Sequence, residues 1–309
     1  MRPVTSARSL PAQLLLLVTA VACASSPAAR RATVIARADA DARRAVESEE
    51  RLNVSRIPPG AVSVTPFSAP VGDSLLRPLG YALADLLVTD LSYSPALSVV
   101  ERHRLDAIMR ELELVEQGRV DPQTAPRVGR LVGARRVVIG EVTPGSANDF
   151  VVRARVVDVI AGTVTDVTTA SAPFARLFEA QSELTFRVYE ALGVQLSPAE
   201  RARIEARATA QLAAVVAYGR GLEAEARGDA TAAADFFTEA ARLDAGFVAQ
   251  RYQADARVGA TATSAVGRVV DLGVNAVNQA GPARVAEAAD VPLATSQILT
   301  LLLTVRITP

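Results

Sequence analysis

Lysine and tryptophan are absent from the 309 residues, and cysteine and histidine occur once each, as Cys23 and His103. Each scarcity excludes something. The 33 basic residues are all arginine and are balanced by 33 acidic ones, so there is no basic excess of the kind that marks a nucleic-acid partner. Aromatic residues make up only 4% of the chain, which argues against a stacking platform for bases or sugars. A single cysteine cannot form an internal disulfide. One histidine without a free thiol leaves too few ligands for a zinc site, and it gives a nucleophile no histidine–cysteine partner. The apolar runs at Leu14–Ala22 and Leu301–Ile307 are too short to span a bilayer as helices. The carboxylates Asp85, Asp90, Glu111 and Glu113 are spread along helical stretches, and nothing selects a pair of them for acid–base work. Gly219-x-Gly221 lies within a helical stretch and does not follow a strand, so it does not read as a dinucleotide loop. The sequence therefore predicts no catalytic residue, no cofactor and no metal site, with His103 in a solvated or capping role.

The amino terminus carries the clearest signal. Arg2 and Arg8 precede the apolar run, and no acidic residue occurs before Asp39. This is the charge and length pattern of a cleaved export leader. The run ends in Ala20-Val21-Ala22-Cys23, which resembles the bacterial lipobox, with alanine where leucine is usual three places before the cysteine. Cys23 is thereby expected to be acylated and to become the first mature residue, with Ala24 resembling the signal for the outer membrane. An ordinary secretory leader is the alternative. Residues 23–58, with the mixed-charge run ADADARRAVESEER, read as a tether, helical in part, that leads away from the membrane and is closed by Pro58-Pro59-Gly60. Arg30-Arg31 and Arg135-Arg136 read as surface arginines, with acidic lipid headgroups as a conceivable contact.

A periodic α/β pattern follows over 59–196. Ala61–Phe67 alternates as a strand, and Asp73 or Ser74 can cap a helix with leucines at 3.6-residue spacing from Leu75 to Leu87. Leu97–Val100 is a short strand. A second helix carries Leu105, Ile108, Met109, Leu112 and Val115 and stops at Gly118, with Glu111, Glu113 and Glu116 on its solvated side. A third carries Val128, Leu131 and Val132 and stops at Gly133. Val137–Ile139 reads as a buried strand. Phe150–Val156 alternates, placing Arg153 and Arg155 on a solvated face. Ala161-Gly162 turns into a strand over Thr163–Thr168, and a long helix from Phe174 ends at Gly193. The fold class is α/β (α+β), a mixed sheet with flanking helices. Ser197-Pro198-Ala199-Glu200 is a capping box that opens a helical region, 197–257, after a boundary near 196. Residues 258–309 form a tail without a clear reading.

The order VSVTPF, LGYALADLLVTDL, LSVVERHRLDAIMREL, VGRLVGARRVVIGEV and VRARVVDVIAGTV resembles the CsgG family of curli-secretion lipoproteins over about residues 60–196. Glu101-Arg102, Gly129, Gly133, Gly140 and Arg155–Gly162 carry the resemblance. It implies a non-enzymatic, lipid-anchored component on the periplasmic face of the outer membrane, acting in assembly or secretion within a homo-oligomer or envelope complex. Pore-forming members insert long hairpins, and a spanning hairpin needs about 20 residues. Here TPGSAND and TASAP are too short, so no pore of its own is expected. A periplasmic adaptor similar to the TolB amino-terminal domain is the alternative. In the helical region, Gly221, Gly228, Ala233, Phe237 and Ala240 resemble one tetratricopeptide unit, with Tyr218, Gly221 and Phe237 in its core as the expected partner-binding region.

Overall fold

A computed structural model describes residues 26–117, 120–146, 149–206 and 210–251. The expectations for the leader, for Cys23 and for residues 258–309 lie outside these residues. In chain order the elements are α1 (Pro27–Glu47), β1 (Ala61–Val64), α2 (Leu76–Leu91), β2 (Ser98–Val99), α3 (Arg102–Glu111), α4 (Leu114–Gln117) and α5 (Ala125–Val132). Then come β3 (Arg136–Pro144), β4 (Asp149–Asp158), β5 (Val164–Pro173), α6 (Leu177–Ala191), α7 (Pro198–Glu205), α8 (Leu212–Ala226) and α9 (Ala230–Leu243). A further helix runs over residues 245–251.

The strands form one sheet in the order β2-β1-β3-β4-β5. β1 pairs in parallel with both β2 and β3, while β3–β4 and β4–β5 are antiparallel. This is the mixed sheet with flanking helices that the sequence predicts. All four residues of β1 are buried, because helices cover both faces at that end. On one face Val62, Val138, Val152, Ala154 and Val156 pack with Leu79, Leu83 and Leu87 of α2, Leu184 and Val188 of α6, and Leu222 of α8. On the other, Val137, Ile139, Val157 and Val159 pack with Leu105 and Ile108 of α3, and Leu131 and Val132 of α5. Towards β5 that second face opens to solvent, with Arg153 exposed as its alternation predicts.

Local signals act as the chemistry requires. Asp73 Oδ1 accepts the backbone N–H groups of Leu75 and Leu76 at 3.0 and 2.8 Å, satisfying donors that the start of α2 leaves free. Gly133 closes α5 at φ +76°, a left-handed conformation that side chains disfavour. Ser197 and Glu200 form the reciprocal capping box of α7.

Four features differ from the sequence reading. The second helix breaks into α3 and α4 at Glu113, whose φ is 57°. TASAP lies inside β5, because the ladder with β4 continues to Asp149 opposite Pro173. The segment expected as a partly helical tether leading away from the membrane is docked on the body: the 21-residue α1 packs against the fold. Ile35 and Ala42 are buried, and Ala38, Ala45 and Val46 pack beside Ala42 against the α3–α5 layer. Finally, residue 196 lies in the connection between α6 and α7, but the apolar core continues across it into α8 and α9.

Candidate functional site

The first and last of the described helices meet the middle of the chain near the end of α8. Gly219 lets the α8 backbone cross α2 closely: a Cβ there would lie 2.0 Å from the Pro78 carbonyl oxygen. Gly221 does the same for α9, since its Cβ would lie 2.6 Å from the Phe237 ring. The Tyr218 and Phe237 ring centroids are 5.2 Å apart, and Phe247 meets Tyr218 edge-on at 5.5 Å. Tyr218, Gly221 and Phe237 are therefore brought together as the sequence predicts, but Tyr218 and Phe237 are buried. The residue 245–251 helix, with Phe247 and Val248 buried, packs against the α8–α9 pair. The side chains named for partner binding thus form an internal joint, leaving only the outer surfaces of these helices for a partner.

Beside this joint lies a buried ionic cluster that the sequence reading missed. Arg102 of α3 approaches three carboxylates: Glu225 of α8 at 2.8 Å, Asp106 at 3.6 Å and Asp85 of α2 at 3.7 Å. Arg31 of α1 also pairs with Glu225, and its guanidinium sits 4.3 Å from the centre of the Phe237 ring. Arg251 donates to Thr89 Oγ1 at 2.9 Å and lies 4.0 Å from Asp85, which also accepts from the Tyr218 hydroxyl at 3.2 Å. Arg110 of α3 donates to Asp39 of α1 at 2.6 Å and to the last carbonyls of α8, those of Glu225 and Ala226, at 3.1 and 2.8 Å. That contact places a cation where the α8 dipole favours one.

The cluster's protonation follows from burial set against charge. Burial pushes Asp106 up to about 7, outweighing Arg102 and Arg110, while Glu225 and Asp85 repel its charge. Burial likewise raises Asp85 against the pull of Arg102 and Arg251. At Glu225 burial also favours the neutral acid, but the cations, led by Arg102 and including Arg31, prevail and hold it down at about 2. Asp90, fully buried, accepts from Thr185 at 2.8 Å, and its carbonyl accepts from Tyr189 at 2.7 Å. The clue to Asp85 and Asp90 was available in α2: every residue of that helix except Arg77 is buried, so its two aspartates had no solvated face to occupy.

Other expectations change accordingly. His103 is half-buried and not solvated; burial and the Arg102 charge lower its pKa to about 4, so it is neutral at pH 7. Arg31 is committed to Glu225, and Arg135 and Arg136 to Asp158 at 3.8 and 2.7 Å, so none of the three is a free lipid contact. Glu111 lies 3.7 Å from Arg43. Among the described residues no group of three histidine, cysteine, aspartate or glutamate side chains could hold a metal ion. A cavity of about 210 Å³ lined by Gly60, Ala96, Leu97, Arg136, Leu192 and Val194 brings no acid–base pair together. The arrangement joins helices.

The outer half of the sheet is the other surface of interest. Glu141, Arg153, Arg155 and Asp166 project from its open face, paired across strands at 3.1 Å (Arg153–Glu141) and 3.0 Å (Arg155–Asp166). β3 and β4 are linked by residues 145–148 alone. The β4–β5 turn is tight, with Asp158 Oδ1 accepting from Ile160 and Ala161 at 2.8 Å each. Among the described residues no helix is long and apolar enough to cross a membrane.

Residues 60–148 match the family model described as Curli production assembly/transport component CsgG. The match spans β1 to the β3–β4 link. No curated protein matches the chain.

Proposed function

We propose, from the CsgG match over residues 60–148, that this protein is a non-enzymatic component of envelope assembly or secretion. It is held on the periplasmic face of the outer membrane by acyl chains on Cys23. It works within a homo-oligomer or a larger envelope complex and contributes no pore hairpin of its own. The family match carries the reading. The lipobox-like Ala20-Val21-Ala22-Cys23 supports the anchor. The short β3–β4 link and TASAP, which lies in β5 and runs straight into the turn Phe174–Arg176, support the absence of a pore, because a spanning hairpin needs about 20 residues beyond the sheet. The buried ionic cluster supports a structural role: its charges are spent on one another between α1, α2, α3 and α8.

Purified protein reconstituted in planar bilayers tests the pore element. No unitary conductance is expected from this protein alone, and stable steps would contradict the reading. Sizing of a mild detergent extract is expected to give a particle several times the 32.4 kDa chain; a monomer would remove the oligomeric part.

A further inference from the structure

The partly helical segment expected to lead away from the membrane as a tether is instead docked along its length on the body. α1 is fixed near its start by Arg31 on Glu225 and Phe237, and in its middle by Arg110 on Asp39 with Ile35 and Ala42 buried. Just past its end, Glu49 pairs with Arg127 of α5 at 2.9 Å. Before Asp39 the helix has Arg30, Arg31 and Arg37 and no carboxylate; after it Arg43 and Arg44 are interleaved with Asp41 and Glu47 and pair with Glu111 and Asp41. Arg30, Val34 and Arg37 stand at i, i+4 and i+7, so they share one helix face. Both arginines are exposed and pair with no carboxylate among the described residues, and Val34 between them is 43% exposed. Two residues separate Cys23 from Ser26, the cap of α1, so that end of the helix lies at most about 11 Å of chain from the acylated position.

We propose that the docked α1 turns the anchor into a fixed mount. The Arg30–Val34–Arg37 face lies against the phospholipid headgroups of the bilayer that holds the Cys23 acyl chains, and the opposite end of the body points away. This rests on the lipoprotein reading above. The partner is identified by chemistry: phosphate headgroups suit two unpaired guanidiniums whose stems can lie along the interface, with one exposed valine between them. The far end is also defined. α1 rises about 31 Å over its 21 residues. Its carboxy-terminal end meets α5 through Arg127, and Gly129 of α5 lies against Val159 at the β4–β5 turn. Ile160 in that turn, 43% exposed, is thus at the end remote from Cys23.

The test uses the full acylated chain in phospholipid vesicles, with acylation of Cys23 verified by mass. A fluorophore is placed on an introduced cysteine, Val34→Cys or Ile160→Cys, and a quencher is carried on the lipid headgroups. Position 34 should lose most of its emission while position 160 retains it. The charge reversals Arg30→Glu and Arg37→Glu together should restore emission at 34 without changing acylation. A flexible insertion between Ser25 and Ser26 should abolish the difference between the two positions. Equal quenching of an acylated chain at both positions would overturn the mount and leave the anchor standing. Absence of the acyl mass would overturn both.

Discussion

Removing a charge from the centre of this protein should make it more stable. Asp106 is 2% exposed, its nearest cation atom is Arg102 Nη1 at 3.6 Å, and its Oδ2 has no hydrogen-bond partner in the structure. Burial raises its pKa from 3.8 to about 7. A carboxyl that holds its proton more tightly when folded favours folding at low pH, below about 3.8. That support is lost as pH rises through 7. With these two values the cost at pH 8 is about 4 kcal/mol, and at pH 5 about 2 kcal/mol. Asp106→Asn keeps the shape and removes the ionisation. Urea unfolding should therefore show a higher midpoint for the variant at pH 8, a smaller gain at pH 5, and an unchanged m value. The lost attraction to Arg102 reduces the gain, because that guanidinium keeps Glu225 and Asp85 as partners. A variant less stable than the parent at both pH values, by the same amount, would refute the reasoning: Asp106 would then be a supporting member of the ionic cluster.

The opposite sign is expected at Glu225. Its pKa of about 2 lies below the ordinary 4.5, so its support is complete above pH 4.5 and is lost as pH falls through 2; Glu225→Gln should cost about 3 kcal/mol at pH 7 by urea unfolding. Gly219→Ala should destabilise more than Gly221→Ala, because the added Cβ meets the backbone of Pro78 in one case and a movable phenylalanine ring in the other; thermal unfolding of the two variants ranks them. Arg110→Ala removes both the Asp39 pair and the donors to the last carbonyls of α8. It should speed amide exchange over residues 27–47 more than over β3 and β4, and cost about 2 kcal/mol overall.

Much of the sheet and its helices is legible in the sequence because each element carries its own local signal. The alternation of Phe150–Val156, the stop at Gly133 and the box at Ser197 and Glu200 act within a few residues and reappear in the structure. The docking of α1 escaped because its buried stripe is mostly alanine, with only Ile35 and Val46 larger, amid a dense charge run that reads as solvated. The end of β5 escaped for a related reason: Thr-Ala-Ser-Ala-Pro has little strand character of its own, and the neighbouring β4 supplies the pairing. The ionic cluster is a different matter. Arg31 and Glu225 are 194 positions apart, Asp85 and Tyr218 are 133 apart, and no periodicity within one segment reports on such a meeting. What the sequence does contain is the anomaly of two aspartates inside an otherwise apolar α2.

The account depends most on Cys23. Metabolic labelling with a palmitate analogue, followed by separation of membrane and soluble periplasmic fractions, tests it directly. The parent chain should be labelled and sediment with the outer membrane, and Cys23→Ser should be unlabelled and appear in the periplasmic fraction. Equal labelling of both chains, or an unlabelled parent found free in the periplasm, would contradict the anchored role.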